Sequence, residues 1–88
     1  MIVFAASCNI RFDNPSDPIP WIKRKQILAE FIYDLKPDIL ATQEGYKEQH
    51  YDLLELIKER YKIIDQHRNY DSNRMYPALF IEKEWELL

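Results

Sequence analysis

The chain has 88 residues, of which 47% are hydrophobic and 31% are charged, and its formal net charge is −3. This composition excludes a disordered chain, and the acidic balance argues against binding nucleic acid through charge alone. The single cysteine, Cys8, excludes an internal disulfide. No apolar run approaches the length of a membrane span, so we expect no membrane contact. The length of 88 residues predicts one domain at most, and we expect the chain in the cytoplasm.

The first predicted element is a strand over Ile2–Ile10. Its unbroken hydrophobicity favours a strand that is covered on both faces. Asn9 lies at the carboxyl end, where an amide either bonds the following loop or joins a site. The stretch from Arg11 to Pro20 holds three of the five prolines, which is typical of a loop. Arg11 either neutralises a phosphate there or pairs with Asp13, and the ion pair is the commoner fate.

A helix is predicted over Trp21–Leu35, because apolar side chains recur at helical spacing, namely Leu28, Phe31, Ile32 and Leu35. Pro20 suits its first turn, and Ser16 or Asp17 is expected to cap it. The helix is expected to end at Lys36, since a residue before proline disfavours the α region. A basic cluster in its first turn is expected to be solvated and comprises Lys23, Arg24 and Lys25.

The stretch Pro37–Glu44 predicts a short buried strand that ends in an amide and a carboxylate, Gln43 and Glu44. Strand, loop, helix and strand together make a βαβ unit with parallel strands. Asn9 and Glu44 then converge at one edge of the sheet, where open α/β sheets bind ligands. A carboxylate in this position suits Mg²⁺, and the alternative is a surface glutamate near the positive end of a helix.

A second helix is predicted over Tyr46–Arg60, with His50 on its apolar face as a packed residue rather than a ligand. Strands are predicted over Tyr61–Gln66 and Pro77–Ile81, and a polar loop joins them. The second of these strands is expected to start on its proline, which cannot donate a hydrogen bond to the sheet. A further strand is predicted to begin at Trp85.

Several short motifs follow one another along the chain: Ser7–Phe12, Asp13–Pro15, Trp21 with Arg24, Pro37–Glu44, Gln49 with Leu53 and Leu54, Pro77–Ile81 and Trp85–Leu88. In order and spacing they resemble the amino-terminal half of the endonuclease/exonuclease/phosphatase superfamily, the metal-dependent phosphohydrolases related to DNase I. The resemblance covers essentially all 88 residues. The Asn-Ile-Arg-Phe form, followed by a tryptophan and an arginine in the next helix, is most similar to the bacterial metal-dependent hydrolase branch.

This resemblance implies an α/β fold, the amino-terminal half of a four-layer sandwich, with a mixed sheet that carries two helices on one face. It implies that Glu44 is a ligand of Mg²⁺ (or Mn²⁺) and that Asn9 lies beside the metal and the scissile phosphate. Both residues are thereby predicted as catalytic and metal-binding, and Arg11 and Gln43 as substrate-binding. The family mechanism is attack of water on a phosphoester, with the metal stabilising charge on the phosphoryl oxygens.

Residues 1–88 are therefore interpreted as a partial domain. The family's Asp-x-Asn segment and its Asp-His segment belong to a second half that is absent here. Neither His50 nor His67 sits in a matching context, so neither is assigned as the general base. Gly45 is the single glycine, and few glycines are typical of a piece of a fold rather than a whole one. We expect hydrolysis of a phosphate ester by this chain alone to be negligible.

The alternative function is a non-catalytic fragment or interaction module that pairs with a partner or with its missing carboxy-terminal half. Half of a sandwich leaves one sheet face uncovered, so an isolated chain is expected to form a homo-oligomer, to be poorly ordered or to aggregate. Nucleic acid stays open as a substrate, because a bound cation supplies the positive charge that the chain lacks. A third interpretation is a complete small α/β binding domain whose resemblance to the family is accidental.

Overall fold

The computed structural model describes residues 2–64 and 73–85. Within these ranges the helices and strands are, in chain order, β1 (Ala5–Asn9), α1 (Trp21–Leu35), β2 (Ile39–Tyr46), α2 (Lys47–Ile57), β3 (Tyr61–Ile63) and β4 (Met75–Glu82). The four strands form one sheet in the order β1-β2-β4-β3. Neither helix in the described part of the chain is long and apolar enough to span a membrane.

The sheet is mixed, as predicted, and it contains the predicted βαβ unit. Strands β1 and β2 are parallel, with Ala5 opposite Ile39 and Asn9 opposite Gln43. Strand β4 is antiparallel to both of its neighbours, β2 and β3. Because β1 and β2 run in the same direction, their carboxyl ends meet at one edge of the sheet, which is the arrangement that the prediction for Asn9 requires.

Both helices pack on one face of the sheet, which confirms the predicted layering. The core is built from the helix side chains Ala29, Ile32, Leu53 and Ile57 and from the strand side chains Leu40, Tyr61, Ala78 and Phe80. In the register, Leu40 is opposite Phe80 and Phe80 is opposite Ile63, so these side chains share one face. The second sheet that the resemblance implies does not occur within residues 2–64 and 73–85.

Helix α1 has the predicted bounds, but its first turn differs from the prediction. The residue before it, Pro20, accepts backbone hydrogen bonds from Lys23 and Arg24 through its carbonyl, and no side chain caps the helix. The predicted caps fail because Asp17 binds arginine side chains instead. At the other end, Lys36 takes a left-handed conformation with φ of 53°, which ends the helix before Pro37.

Several predicted bounds were wrong by a few residues. Strand β1 begins at Ala5 rather than Ile2, because the Phe4 N–H bonds the Asp38 carboxylate instead of the sheet. Helix α2 ends at Ile57 rather than Arg60, because the chain turns there and the Arg60 N–H bonds the Ile57 carbonyl.

In the carboxy-terminal part, β3 covers only the start of its predicted span, and the end of that span, Asp65–Gln66, lies outside the described residues. Strand β4 starts at Met75, so its proline is internal. Trp85 is not in a strand, and the remainder of the predicted fifth strand also lies outside the described residues.

One side of α1 carries an apolar groove. The predicted stripe packs only partly, since Phe31 is 57% exposed and Leu35 is 37% exposed, whereas Ile32 is buried. Phe31 lines a groove of about 390 Å³ together with Cys8, Ile10, Trp21, Ile27 and other residues of β1 and α1. Within the described residues β1 is an edge strand, so this groove opens beside an unpaired strand edge.

Candidate active site

Asn9 and Glu44 meet at the carboxyl ends of β1 and β2. The side-chain amide of Asn9 donates a hydrogen bond from Nδ2 to Glu44 Oε2. Its Oδ1 accepts a hydrogen bond of 2.9 Å from the backbone N–H of Arg11. That second bond fixes the orientation of the amide, because only the oxygen can accept from an N–H. The predicted convergence of Asn9 and Glu44 is therefore observed, and their catalytic and metal-binding roles stay predictions.

A β-bulge directs Glu44 toward Asn9. Thr42 pairs with Ala78 and Gly45 pairs with Tyr76, so two residues of β2 lie opposite the single residue Pro77. Proline cannot donate to the ladder, and bulges are among the few places where a sheet accepts it. Glu44 has a φ of 62°, a left-handed conformation that costs a non-glycine residue free energy. The bulge thus turns a strand residue out of the usual alternation.

Gly45 makes this bulge compatible with the core beneath it. A Cβ atom on Gly45 would lie 2.5 Å from His50 Cε1 and 2.7 Å from Ile10 Cδ1. The imidazole of His50 is fully buried, and its Nε2 lies 2.8 Å from the Tyr76 carbonyl oxygen on β4. His50 is therefore a packed residue on the apolar face of α2, as predicted. It also contacts β4 at Tyr76, the residue that pairs with Gly45 at the end of the bulge.

Arg11 forms an ion pair with Asp17, not with Asp13. Its Nη2 lies 2.6 Å from Asp17 Oδ1, and its Nε bonds both carboxylate oxygens at 3.0 and 2.9 Å. Arg11 also has a positive φ of 57°, and this turn after β1 points its side chain along the loop toward Asp17. The guanidinium is therefore already bound, and a phosphate would have to compete with Asp17 for it.

The same ion pair shifts two pKa values. The hydrogen bonds from Arg11 lower the pKa of the Asp17 carboxyl, and the pKa of Arg11 is raised in turn by Asp17. Arg24, predicted to be solvated, also approaches Asp17, with 3.7 Å between Nη2 and Oδ2. It further donates to the carbonyls of Ile10 at 2.6 Å and Ile19 at 3.1 Å, so it fixes both ends of the loop before α1.

We expect the Asp17 carboxyl to keep its charge below the pH at which an ordinary aspartate protonates. Because its folded pKa is lowered, the stabilisation from the ion pair is complete above the unfolded value of about 3.9 and is lost as the pH falls through the folded pKa. An NMR titration of the Asp17 carboxyl carbon measures this pKa directly. Arg11→Gln should raise it, and Lys23→Gln should not; equal titration curves in all three proteins would contradict the assignment.

Gln43 lies on the face of the sheet opposite the helices, next to Asn9 in the register. Its Nε2 donates a hydrogen bond of 3.0 Å to Ser7 Oγ on β1. Ser7 and Asn9 are exposed on this face, so the polar ends of β1 and β2 form a shallow patch with Glu44 at its edge. The role of Gln43 in binding substrate stays a prediction.

Neither a protein-family model nor a curated protein matches the chain. Among solved structures, an endonuclease/exonuclease/phosphatase from Bacteroides vulgatus matches at 33% identity with a TM-score of 0.80, over 93% of this chain and 32% of that one. The chain resembles the endonuclease/exonuclease/phosphatase family in sequence and in fold.

Two further solved structures are similar to the chain. A mannosyl-6-phosphatase from Bacteroides thetaiotaomicron matches at 26% identity with a TM-score of 0.81, over 94% of this chain and 32% of its own. Truncated TDP2 from Caenorhabditis elegans matches at 23% identity with a TM-score of 0.68, over 92% of this chain and 30% of its own, which shows the fold alone. The chain therefore spans about a third of the length of these structures.

The strand ends carry one side chain of the type that binds a hard divalent cation, the carboxylate of Glu44. Mg²⁺ binds one or two carboxylates and completes its shell with water and substrate phosphate. Glu44 offers one carboxylate, held in place by Asn9. Within residues 2–64 and 73–85 there is no group of three His, Cys, Asp or Glu that could enclose a metal ion. Further ligands would have to come from water, substrate or another segment of protein.

Sequence reasoning assigned no role to Gln49, which is 2% exposed and bonds three backbone groups around the site. A glutamine three residues into a predicted helix is a signal for capping, but nothing local in the sequence indicates its bonds to the loop after β1. The loop contacts of Arg24 were missed for the same reason, since they depend on where the loop folds back.

Proposed function

We propose that the chain supplies part of the active site of a Mg²⁺- or Mn²⁺-dependent phosphoester hydrolase, with Glu44 as a metal ligand. One observation carries the proposal, namely that Asn9 and Glu44 are brought into hydrogen-bond contact at the carboxyl edge of parallel strands. The likeness to a mannosyl-6-phosphatase supports a phosphate ester as the substrate class. The net charge of −3 gives no support to nucleic acid over smaller esters.

In the proposed site each residue has a separate task. The Glu44 carboxylate would bind the cation, and Asn9 Nδ2 would hold that carboxylate in one orientation. The oxygen of Asn9 accepts one hydrogen bond from the Arg11 N–H, so in its predicted role as a second metal ligand it would use its second lone pair. When bound, the metal would stabilise negative charge on the phosphoryl oxygens. Arg11 would add positive charge next to the site, shared with Asp17.

The general base is the part of the mechanism that these residues do not supply. His50 is buried, and its Nε2 already contacts the Tyr76 carbonyl, so it does not reach a substrate at the strand ends. His67 lies outside the described residues. We therefore propose that this chain alone does not accelerate phosphoester hydrolysis and that activity requires residues from elsewhere.

Metal binding tests the proposal without requiring turnover. Mn²⁺ titration followed by electron paramagnetic resonance is expected to show weak binding to the parent chain and its loss in Glu44→Gln, which removes the charge and keeps the size. Glu48→Gln is the matched control, because Glu48 is exposed in the first turn of α2 and undergoes the same change of charge. Equal binding in both variants would count against Glu44 as the ligand.

Turnover gives a second measurement on the same proteins. The parent chain with Mg²⁺ should leave a generic phosphodiester unhydrolysed above background. Clear turnover by the parent chain that disappears in Glu44→Ala would overturn the proposed lack of activity but would support the site. Turnover that survives in Glu44→Ala would contradict the site itself.

A second candidate function, an interaction module, is favoured by the surface beside β1. Ala5, Ser7 and Asn9 are exposed on the open face of the sheet, and the apolar groove lies on the other side of the same strand. Unpaired strand edges beside apolar surface bind further strands. We propose that the remaining part of a family domain covers β1, whether in the same chain or in a partner, and that isolated chains cover it by self-association.

Self-association should depend on the groove rather than on apolar exposure in general. Ile27 is 60% exposed and lines the groove, whereas Ile22 is 67% exposed on the same helix and does not. Sedimentation velocity is expected to show oligomers of the parent chain, a shift toward monomer in Ile27→Ser and little change in Ile22→Ser. A monomeric parent chain with a cooperative thermal transition would exclude this use of the groove.

A further inference from the structure

Gln49 joins the two strand ends that carry Asn9 and Glu44. Its Oε1 accepts hydrogen bonds of 3.0 Å from the N–H of Asp13 and of 3.0 Å from the N–H of Tyr46. Its Nε2 donates a hydrogen bond of 2.9 Å to the carbonyl oxygen of Arg11. One buried amide therefore holds the loop after β1 against the junction between β2 and α2.

These bonds close a ring that includes the candidate site. Gln49 binds the carbonyl of Arg11, and the N–H of Arg11 binds Asn9 Oδ1. Asn9 binds Glu44, and Tyr46, two residues beyond Glu44, binds back to Gln49. Two members of the ring, Arg11 and Glu44, have positive φ values, 57° and 62°. Non-glycine residues keep such conformations only where the surrounding structure determines them.

The simpler interpretation is that Gln49 only caps helix α2. A glutamine at the third helical position commonly accepts from the N–H of the residue before the helix, and its bond to Tyr46 is of this kind. Capping does not account for the bonds to Asp13 and Arg11, which belong to a different part of the chain. The side chain is also only 2% exposed, so without the bonds to Asp13 and Arg11 part of its amide would be buried with no partner.

We propose that Gln49 is a positioning residue that sets the orientation of the Asn9 amide, and through it the Glu44 carboxylate. It acts through the backbone of Arg11, because Gln49 binds the Arg11 carbonyl and the Arg11 N–H, on the other side of the same Cα, orients Asn9. Without Gln49 a restraint on the positive φ of Arg11 is removed, so the Arg11 N–H turns away and Asn9 loses the bond that points its NH₂ group at Glu44. The effect on metal binding rests on the proposed function, whereas the effect on Asn9 does not.

Gln49→Leu and Gln49→Glu separate this role from capping. Leucine removes all three bonds at similar size. Glutamate keeps an acceptor for Tyr46 and Asp13 but removes the donor to the Arg11 carbonyl, so capping survives and positioning is lost. Gln26→Leu, at an exposed position of α1, is the control. The side-chain amide signals of Asn9 in a ¹H–¹⁵N spectrum report its orientation, and circular dichroism melting reports stability.

We expect the Asn9 amide signals to move in both Gln49 variants and to stay in place in Gln26→Leu. Mn²⁺ affinity is expected to fall about 10-fold or more in the Gln49 variants, the usual effect of losing a residue that orients a metal ligand. A lower melting temperature in Gln49→Leu with unmoved Asn9 signals in Gln49→Glu would overturn the proposal and leave capping. Absence of Mn²⁺ binding by the parent chain would count against the proposed function alone, since the Asn9 signals still test whether Gln49 orients the Asn9 amide.

Discussion

Replacing Phe80 with alanine is expected to remove a large fraction of the free energy of unfolding of the chain. Phe80 is 0% exposed and lies at the centre of the core, opposite Leu40 and Ile63 in the sheet and beside the buried ring of His50. Truncating a buried phenylalanine costs about 3–5 kcal/mol of the free energy of unfolding. A domain of this size has a total of only about 4–13 kcal/mol at the usual values per residue.

The control for Phe80→Ala is the same change at an exposed phenylalanine. Phe31 is 57% exposed on α1, so Phe31→Ala should change the free energy of unfolding by about 0.5 kcal/mol or less. Urea unfolding followed by circular dichroism gives both free energies of unfolding, provided that the protein concentration is low enough to suppress association. Similar losses in the two variants would show that α1 is packed differently from the structure described.

Gly45→Ala is expected to destabilise the chain and to disturb the candidate site at the same time. The added methyl group would lie 2.5 Å from His50 and 2.7 Å from Ile10, closer than packed atoms approach. Overpacking of this kind costs about 1–3 kcal/mol. For a domain of this length each kcal/mol lowers the melting temperature by about 4–8 °C. The control is Ala5→Ser, which adds one heavy atom at an exposed position of β1 and should leave the melting temperature nearly unchanged.

A double-mutant cycle identifies the cause of the Gly45→Ala effect. Ile10→Val removes the Cδ1 atom, one of those that the added methyl group would meet. In the double variant the loss of stability should therefore be smaller than the sum of the two single losses. Strict additivity would place the strain elsewhere, for example in the backbone of the bulge. The chemical shift of the Glu44 backbone amide in a ¹H–¹⁵N NMR spectrum of the same variants would show whether the bulge changes conformation.

The sequence predicted those features that depend on local patterns. Helix α1 has the predicted bounds because its apolar residues recur at helical spacing and a proline follows it. The meeting of Asn9 and Glu44 was predictable because a strand, a helix and a second strand form a parallel pair whose carboxyl ends coincide. This prediction requires only the order of the elements, because two strands joined by a crossover helix run parallel.

The features that the sequence did not predict depend on contacts between distant segments. The bulge at Glu44 arises where β2 meets Pro77 on β4, and nothing near Glu44 in the sequence specifies that partner. Asp17 was expected to cap α1, but the fold of the loop brings it to Arg11 instead. The apolar stripe of α1 predicted burial of Phe31, yet burial requires an opposing surface, and the described residues provide none at that position.

The strand order also determines when the protein can fold during its synthesis. Strand β4 lies between β2 and β3, so β2 acquires its second neighbour only through pairs such as Ile39 with Ile81. Until β4 has left the ribosome, β2 has an unpaired edge and the core lacks the side chains of β4. Pairing of β2 with β4 is also slow, because the two strands are far apart in the sequence. Nascent chains would be prone to aggregation throughout that interval, and chaperones that bind extended apolar segments would act on β2.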